Sequence, residues 1–365
     1  MKGNRAVAAH VPAEILAIGM VTPVGLSARQ TASSVRTGIG RLAESYVTDR
    51  FGLPMVMGLV DEEQLPPLVE ELEDRRLSIR QERLARLGGP ALREALTSAP
   101  GDPIPLLLGI AEPRDEARHP VGPEMLEVLS IQTGVAFDRS CSKTYPLGRA
   151  AGLVALDDAL TLLDRGRASS VLVGAVDSYL DLGLLEALDR EGRLKTGDVS
   201  DGFVPGEGAA FLLIAASRAG RRYGSPPVAR IDGIGRGREH GHLYSDEPHR
   251  GEGLAAAFRT LFEADAQREP GSRHKTRVGC VYAGLNGESY WAKEWGVAQI
   301  RCADRLVDPL RVEHPADCIG DAGSALGLVM LGLGALDLAR GRIDGSCLIW
   351  GAADREERVA VLLSS

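Results

Sequence analysis

The sequence predicts an α/β protein assembled from two similar halves, and two observations carry that prediction. Short apolar runs alternate with longer stretches of helical periodicity, the pattern of strands and helices packed in layers. A helix–strand unit also occurs twice, as "LLDRGRASSVLVGAVDS" (Leu162–Ser178) and "DLARGRIDGSCLIWGAADR" (Asp337–Arg355). In each copy an apolar helix ends in Arg-Gly-Arg and a buried strand runs into Gly-Ala-x-Asp; the second copy has two more residues before its strand. The glycine suits a left-handed helix cap, and the flanking arginines suit the negative end of the helix dipole. The join is expected near Ala216–Pro227 ("ASRAGRRYGSPP"), dividing the 365 residues into halves 1–220 and 221–365.

Taken in order, strands are expected at Glu14–Gly19, Pro105–Ile110, Ser170–Ala175, Val228–Ile234, Arg277–Ala283, Cys347–Gly351 and Arg358–Leu363. In Ala150–Asp164, Leu153, Leu156, Leu160 and Leu163 recur at helical steps and define one buried face. A second long helix, from near Ala322 to Arg340, is small and apolar nearly all round, which places it at the centre of the molecule. Two similar halves side by side bring these central helices together. Tyr290, Trp291 and Trp295 cluster at helical spacing and read as core packing or a subunit contact.

Bulk properties exclude several functions. A net charge of −8 argues against nucleic-acid binding and against anionic membranes, both of which need a basic surface. The longest uncharged stretch, Ala322–Leu336, falls short of the roughly 20 apolar residues that span a bilayer. No glycine-rich phosphate loop follows a strand, and no other cofactor is implied. Cys141, Cys280, Cys302, Cys318 and Cys347 have no metal-binding spacing, and scattered thiols fit a reducing cytoplasm. His240, His242 and His249 share a glycine-containing loop, but no acidic or Cys partner has a matching spacing, so no metal is expected.

Several segments resemble the β-ketoacyl-acyl-carrier-protein synthases in order and spacing. "ILAIGMVTPVGLSARQTASSVRTGIGRL" (Ile15–Leu42) resembles the first strand of that family and the Gly-x-Val-Thr-Pro-x-Gly turn after it. "SDGFVPGEGAAFLLI" (Ser200–Ile214) matches its Asp-Gly-Phe-x-x-Gly-Glu-Gly-Ala-Gly motif up to the final glycine. "CIGDAGSALGL" (Cys318–Leu328) resembles a helix entry that normally reads Gly-His-x-x-Gly-Ala-Ala-Gly-Ala. The resemblance covers the chain from about Glu14 to its end, and it implies the thiolase fold: a duplicated, five-layer α-β-α-β-α architecture with the site between the halves.

In that family a cysteine at a helix entry takes the acyl group, two histidines assist decarboxylation of the extender, and backbone amides form an oxyanion hole. Counting back from the first Arg-Gly-Arg puts Arg149 at the nucleophile position, and arginine is no nucleophile. The first histidine becomes Asn286, in "NGES", and the second becomes Asp317. The C-terminal loop becomes "GAADREER", which puts Gly351 and Asp354 at the pocket and charges where the family has small or apolar residues. Arg149, Asn286 and Asp317 are therefore expected to converge, with an Arg–Asp pair filling the cleft.

The competing nucleophile is Cys141, in "SCSKT", with His314 as a stand-in for a lost histidine. It needs eight extra residues before Arg-Gly-Arg, including Pro146, which a helix interior excludes. Two functions remain: a non-condensing binding or scaffolding subunit, or an acyltransferase (3-oxoacyl-ACP synthase) working through Cys141. The resemblance implies a homodimer, or a heterodimer with an active ketosynthase, through the strand Cys141–Gly148, with acyl carrier protein as a further partner. The implied setting is fatty acid or polyketide synthesis.

Overall fold

The computed structural model describes residues 12–97, 103–217, 226–268 and 276–365. The first half runs β1 (Ala13–Val21), α1 (Ala28–Arg36), β2 (Ala43–Thr48), β3 (Pro54–Met57), α2 (Glu70–Glu73), α3 (Ile79–Ala95), β4 (Leu106–Ile110), α4 (Met125–Thr133), β5 (Lys143–Pro146), α5 (Ala151–Asp164), β6 (Ser170–Ser178), α6 (Leu182–Arg190) and β7 (Glu207–Ala216). The second runs β8 (Ala229–Arg238), α7 (Glu252–Arg268), β9 (Val278–Ala283), α8 (Ser289–Arg301), β10 (Leu306–Glu313), α9 (Ala316–Ile319), α10 (Leu326–Ala339), β11 (Ser346–Ala352) and β12 (Glu357–Ser364). The proposed boundary at residues 220 and 221 lies outside the described residues.

The ten-stranded sheet has the order β10-β9-β11-β12-β8-β1-β7-β6-β4-β5. Outward from β1, the pairings are antiparallel to β7, antiparallel to β6, then parallel to β4 and β5. Outward from β8 the same series repeats, through β12, β11, β9 and β10. The halves meet where Ala13–Ile15 of β1 pairs with Ala229–Ile231 of β8, so two five-stranded units share one hydrogen-bonded ladder.

The period-2 pattern of the strands sorts the layers. Along β1, Ile15, Ile18 and Met20 enter a central core while Leu16 and Val21 enter an outer one. Along β12, Val359, Val361 and Leu363 face the same central core, and Ala360 and Leu362 face a third cluster. The central core holds α5 and α10; α3 and α4 cover one outer face, and α7 and α8 the other. This is the five-layer arrangement. Trp291 and Trp295 are buried in the third cluster, as core packing.

The two central helices repeat one another turn for turn. Each begins with a glycine at positive φ, Gly148 (52°) and Gly323 (54°), followed by a 3-10 turn and then the α-helix. Each ends at the glycine of Arg-Gly-Arg, Gly166 (63°) and Gly341 (61°), in the left-handed cap expected from sequence. α10 therefore starts a turn later than expected, because its first residues form the 3-10 entry. The helices touch closely at Gly152, where an added Cβ would lie 2.6 Å from Leu328.

Candidate functional site

The glycine turn at Gly148 delivers Arg149 to the entry of α5, facing the cleft between the halves, with its side chain 5% exposed. Its guanidinium lies 3.9 Å above the ring centroid of Trp291, a cation–π contact made in a desolvated setting. Nη1 approaches Asp321 at 3.4 Å and Nη2 approaches Asp354 at 3.6 Å. Among the described residues Nε and Nη2 have no hydrogen-bond partner.

Asn286 follows β9, and its amide donates to Asp321 at 2.8 Å and to Glu288 at 3.0 Å. Asp321 also accepts the Gly323 N–H at 2.9 Å. Arg193 grips Glu288 with Nε at 2.8 Å and Nη2 at 3.0 Å, and donates to Asp354 at 2.6 Å and to the Tyr244 hydroxyl at 2.8 Å. Trp291 Nε1 completes the set, donating to Glu288 at 2.9 Å. Two guanidinium groups thus meet three carboxylates in one continuous network.

Burial pushes the Asp321 carboxyl up, against the pull of Arg149 and the Asn286 hydrogen bond. Burial acts on Asp354 too, but Arg193 and Arg149 outweigh it and hold that carboxyl down at about 2. Glu112, between them and solvent, is pushed up to about 7 by burial and by Asp354, despite Arg355 and Arg114 nearby. The adjoining cavity is only about 50 Å³, lined by Arg80, Glu112, Arg114, Arg149, Tyr179 and Asp354 among others. That volume holds a few waters, whereas sites for drug-sized ligands are roughly 300–1,000 Å³.

The structure places Arg149 and Asn286 on the same carboxylate, and Asp354 beside them. Gly351 is buried in β11, where an added Cβ would lie 3.2 Å from the Arg149 carbonyl; it does not line the cavity. Asp317 is a correction. Its side chain is 67% exposed on the one-turn helix α9 and pairs with His314 Nδ1 at 2.8 Å, outside the cleft. Gly320, at φ 74°, ends α9 and swings the chain so that Asp321, 1% exposed, enters the cleft instead. Gly320-Asp321 reads directly onto the family's Gly-His, which was the available signal. Arg193 and Tyr244 carried no motif at all.

Cys141 lies in the turn before β5, away from the α5 entry, and does not line the cavity. His240 is exposed, and His242 accepts the Tyr244 N–H at 3.3 Å within its own loop.

The five-layer duplicated arrangement, with its cleft at a helix entry, is the thiolase fold. Residues 148–219 match the family model described as "Beta-ketoacyl synthase, N-terminal domain". Among solved structures, the ishigamide ketosynthase/chain length factor superposes with a TM-score of 0.79 at 14% identity, covering 98% of this chain and 99% of that one. A ketosynthase in complex with its chain length factor from Xenorhabdus doucetiae superposes at 0.75 and 14% identity, covering 100% of both chains. The ketosynthase from module 6 of the bacillaene synthase from Bacillus subtilis 168 gives 0.77 at 12% identity, over 96% of this chain and 72% of that one. No curated protein matches the chain in sequence. Residues 148–219 are thus similar in sequence to the β-ketoacyl synthases and the whole chain shares the fold of the ketosynthase structures, with arginine at the entry of α5. Among the described residues no helix is long and apolar enough to cross a membrane.

Proposed function

We propose that this chain is a non-condensing, ketosynthase-like subunit that assembles with an active ketosynthase in polyketide or fatty acid synthesis. The observation that carries the reading is the Arg149–Asp321–Asn286 cluster, at the positions where the sequence resemblance puts a nucleophile and its two histidines. A guanidinium forms no acyl intermediate, and the paired charges neutralise one another instead of activating a thioester. The five cysteines are free of disulfides, which suits a cytoplasmic location.

The partner's place is the free edge of β5. That strand is the last in the ladder, bonded to β4 on one side only. Pairing with the equivalent strand of a ketosynthase continues the sheet across two subunits and buries an edge that otherwise invites aggregation. Pro146, at the end of β5, confines the pairing to Lys143–Tyr145. A carrier protein is the natural visitor to such a pair, delivering its thioester to the active subunit.

The test incubates the chain with an acyl-carrier thioester, or with the condensing-enzyme inhibitor cerulenin, and weighs the intact protein. No adduct is expected on any cysteine; an acyl adduct on Cys141 would establish an acyltransferase in place of a scaffold. Sedimentation should show a dimer of the chain, or a heterodimer once an active ketosynthase is added. Thr144→Pro removes a backbone donor from β5 and should leave a monomer with an unchanged melting temperature. A wild-type monomer at micromolar concentration in both settings would remove the assembly from this proposal.

A further inference from the structure

β8 ends at Arg238, and the next residue, Glu239, is 2% exposed. Its carboxylate accepts the Gly253 N–H at 2.9 Å and the Gly241 N–H at 3.3 Å, so it is clamped between the two ends of the loop that leads to α7. Near the end of that loop, His249 stacks flat on Tyr290 of α8, ring centroids 3.9 Å apart and planes at 12°. Tyr290 is itself held by its hydroxyl, which donates to the Gly241 carbonyl at 2.7 Å. Glu294, one turn along α8, is 0% exposed, and its Oε1 accepts from Arg358 Nε at 2.7 Å. Among the described residues its Oε2 has no hydrogen-bond partner. Neither does His249 Nε2, which lies 3.7 Å from it. One ligand atom from each of Glu239, His249 and Glu294 lies within 4.8 Å of the other two.

We propose that Glu239, His249 and Glu294 bind a divalent transition-metal ion of the zinc class. A buried carboxylate oxygen and a buried imidazole nitrogen that face one another unpaired are costly, and a cation between them satisfies both. The charges agree: two buried carboxylates face one guanidinium, Arg358, which leaves room for further positive charge. An imidazole with two carboxylates suits zinc-class ions, whereas magnesium and calcium favour all-oxygen sites. Ligand atoms about 2.0–2.2 Å from a tetrahedral zinc stand roughly 3.4 Å apart, so the His249–Glu294 pair needs little adjustment and Glu239 moves inward by about an ångström. The outer contacts resemble those that orient metal ligands. Arg358 holds the far oxygen of Glu294, Tyr290 fixes the imidazole plane, and two backbone amides hold Glu239. Such an ion would pin the 239–253 loop to α8, and that loop carries Tyr244 to Arg193 in the central network.

The test uses the full chain, stripped with a chelator and then titrated with zinc by calorimetry and with cobalt(II) by absorption. One ion per chain is expected, with cobalt bands of a tetrahedral nitrogen–oxygen site and no thiolate charge-transfer band. His249→Gln and Glu239→Gln should each lower affinity at least tenfold, while the double variant His240→Gln/His242→Gln binds as wild type does. If His249→Gln does not fold, the wild-type cobalt spectrum decides alone. Folded wild-type protein that binds no ion would overturn the proposal. A thiolate band, or His249→Gln binding unchanged, would overturn it equally by moving the ion to other residues.

Discussion

Arg149→Ala is expected to destabilise the fold by about 3–5 kcal/mol at neutral pH, the usual cost of removing one partner of a buried ion pair. Asp321 then keeps only the Asn286 amide and the Gly323 N–H, and the ring of Trp291 loses the cation packed on it. The cost should shrink as the pH falls. Burial already pushes the Asp321 carboxyl up, and without Arg149 it rises further, so acid neutralises the orphaned charge in the folded state. Arg149→Met combined with Asp321→Asn should recover most of the loss, since both buried charges then disappear together. Chemical denaturation of the three proteins at two pH values checks this. A loss below about 1 kcal/mol for Arg149→Ala, the range of exposed pairs, would mean that water screens the cleft.

The second large effect is a failure to gain activity. Arg149→Cys places a thiol at the entry of α5, where the helix dipole favours a thiolate. Condensation should nevertheless stay undetectable, at least about 100–1,000-fold below an intact ketosynthase assayed alongside, since losing a single oxyanion donor already costs that much. Asn286 offers one hydrogen bond, but Asp321 and Glu288 place carboxylates where an enolate would develop. In a low-dielectric cleft that repulsion exceeds its value in water. The cavity, at about 50 Å³, must also open before an acyl chain enters. Malonyl-carrier and acyl-carrier thioesters of several chain lengths provide the assay. Product formed by Arg149→Cys and lost in Arg149→Ser would show that the thiol alone was missing.

Most of the architecture was legible because its signals are local. Arg-Gly-Arg marks both helix ends, and the buried strands β4, β6, β9, β11 and β12 are short apolar runs. β10 was missed because Pro309 interrupts it, and the β2–β3 hairpin because it is short, largely exposed and shows no clear alternation in β2. β7 was read only as part of a motif. In the site, Arg149 and Asn286 followed from counting residues between fixed elements. Asp317 failed because the count ran through a glycine turn, where a few residues change which side chain faces inward. Arg193 and Glu294 act through partners 95 and 64 residues away, Glu288 and Arg358, which no spacing rule pairs.

The seam between the halves also constrains how the chain can be made. β1 leaves the ribosome well before its neighbours β7 and β8, which lie some two hundred residues later. At roughly 5–20 residues per second, this apolar strand waits on the order of ten to forty seconds before either partner exists. Closing so long a loop is also entropically costly before any contact rewards it. The first half therefore completes its five strands only when β7 emerges, and it still presents the other edge of β1 to β8. β8 in turn meets a strand made some two hundred residues earlier, so the ladder becomes continuous only after the second half has begun to emerge.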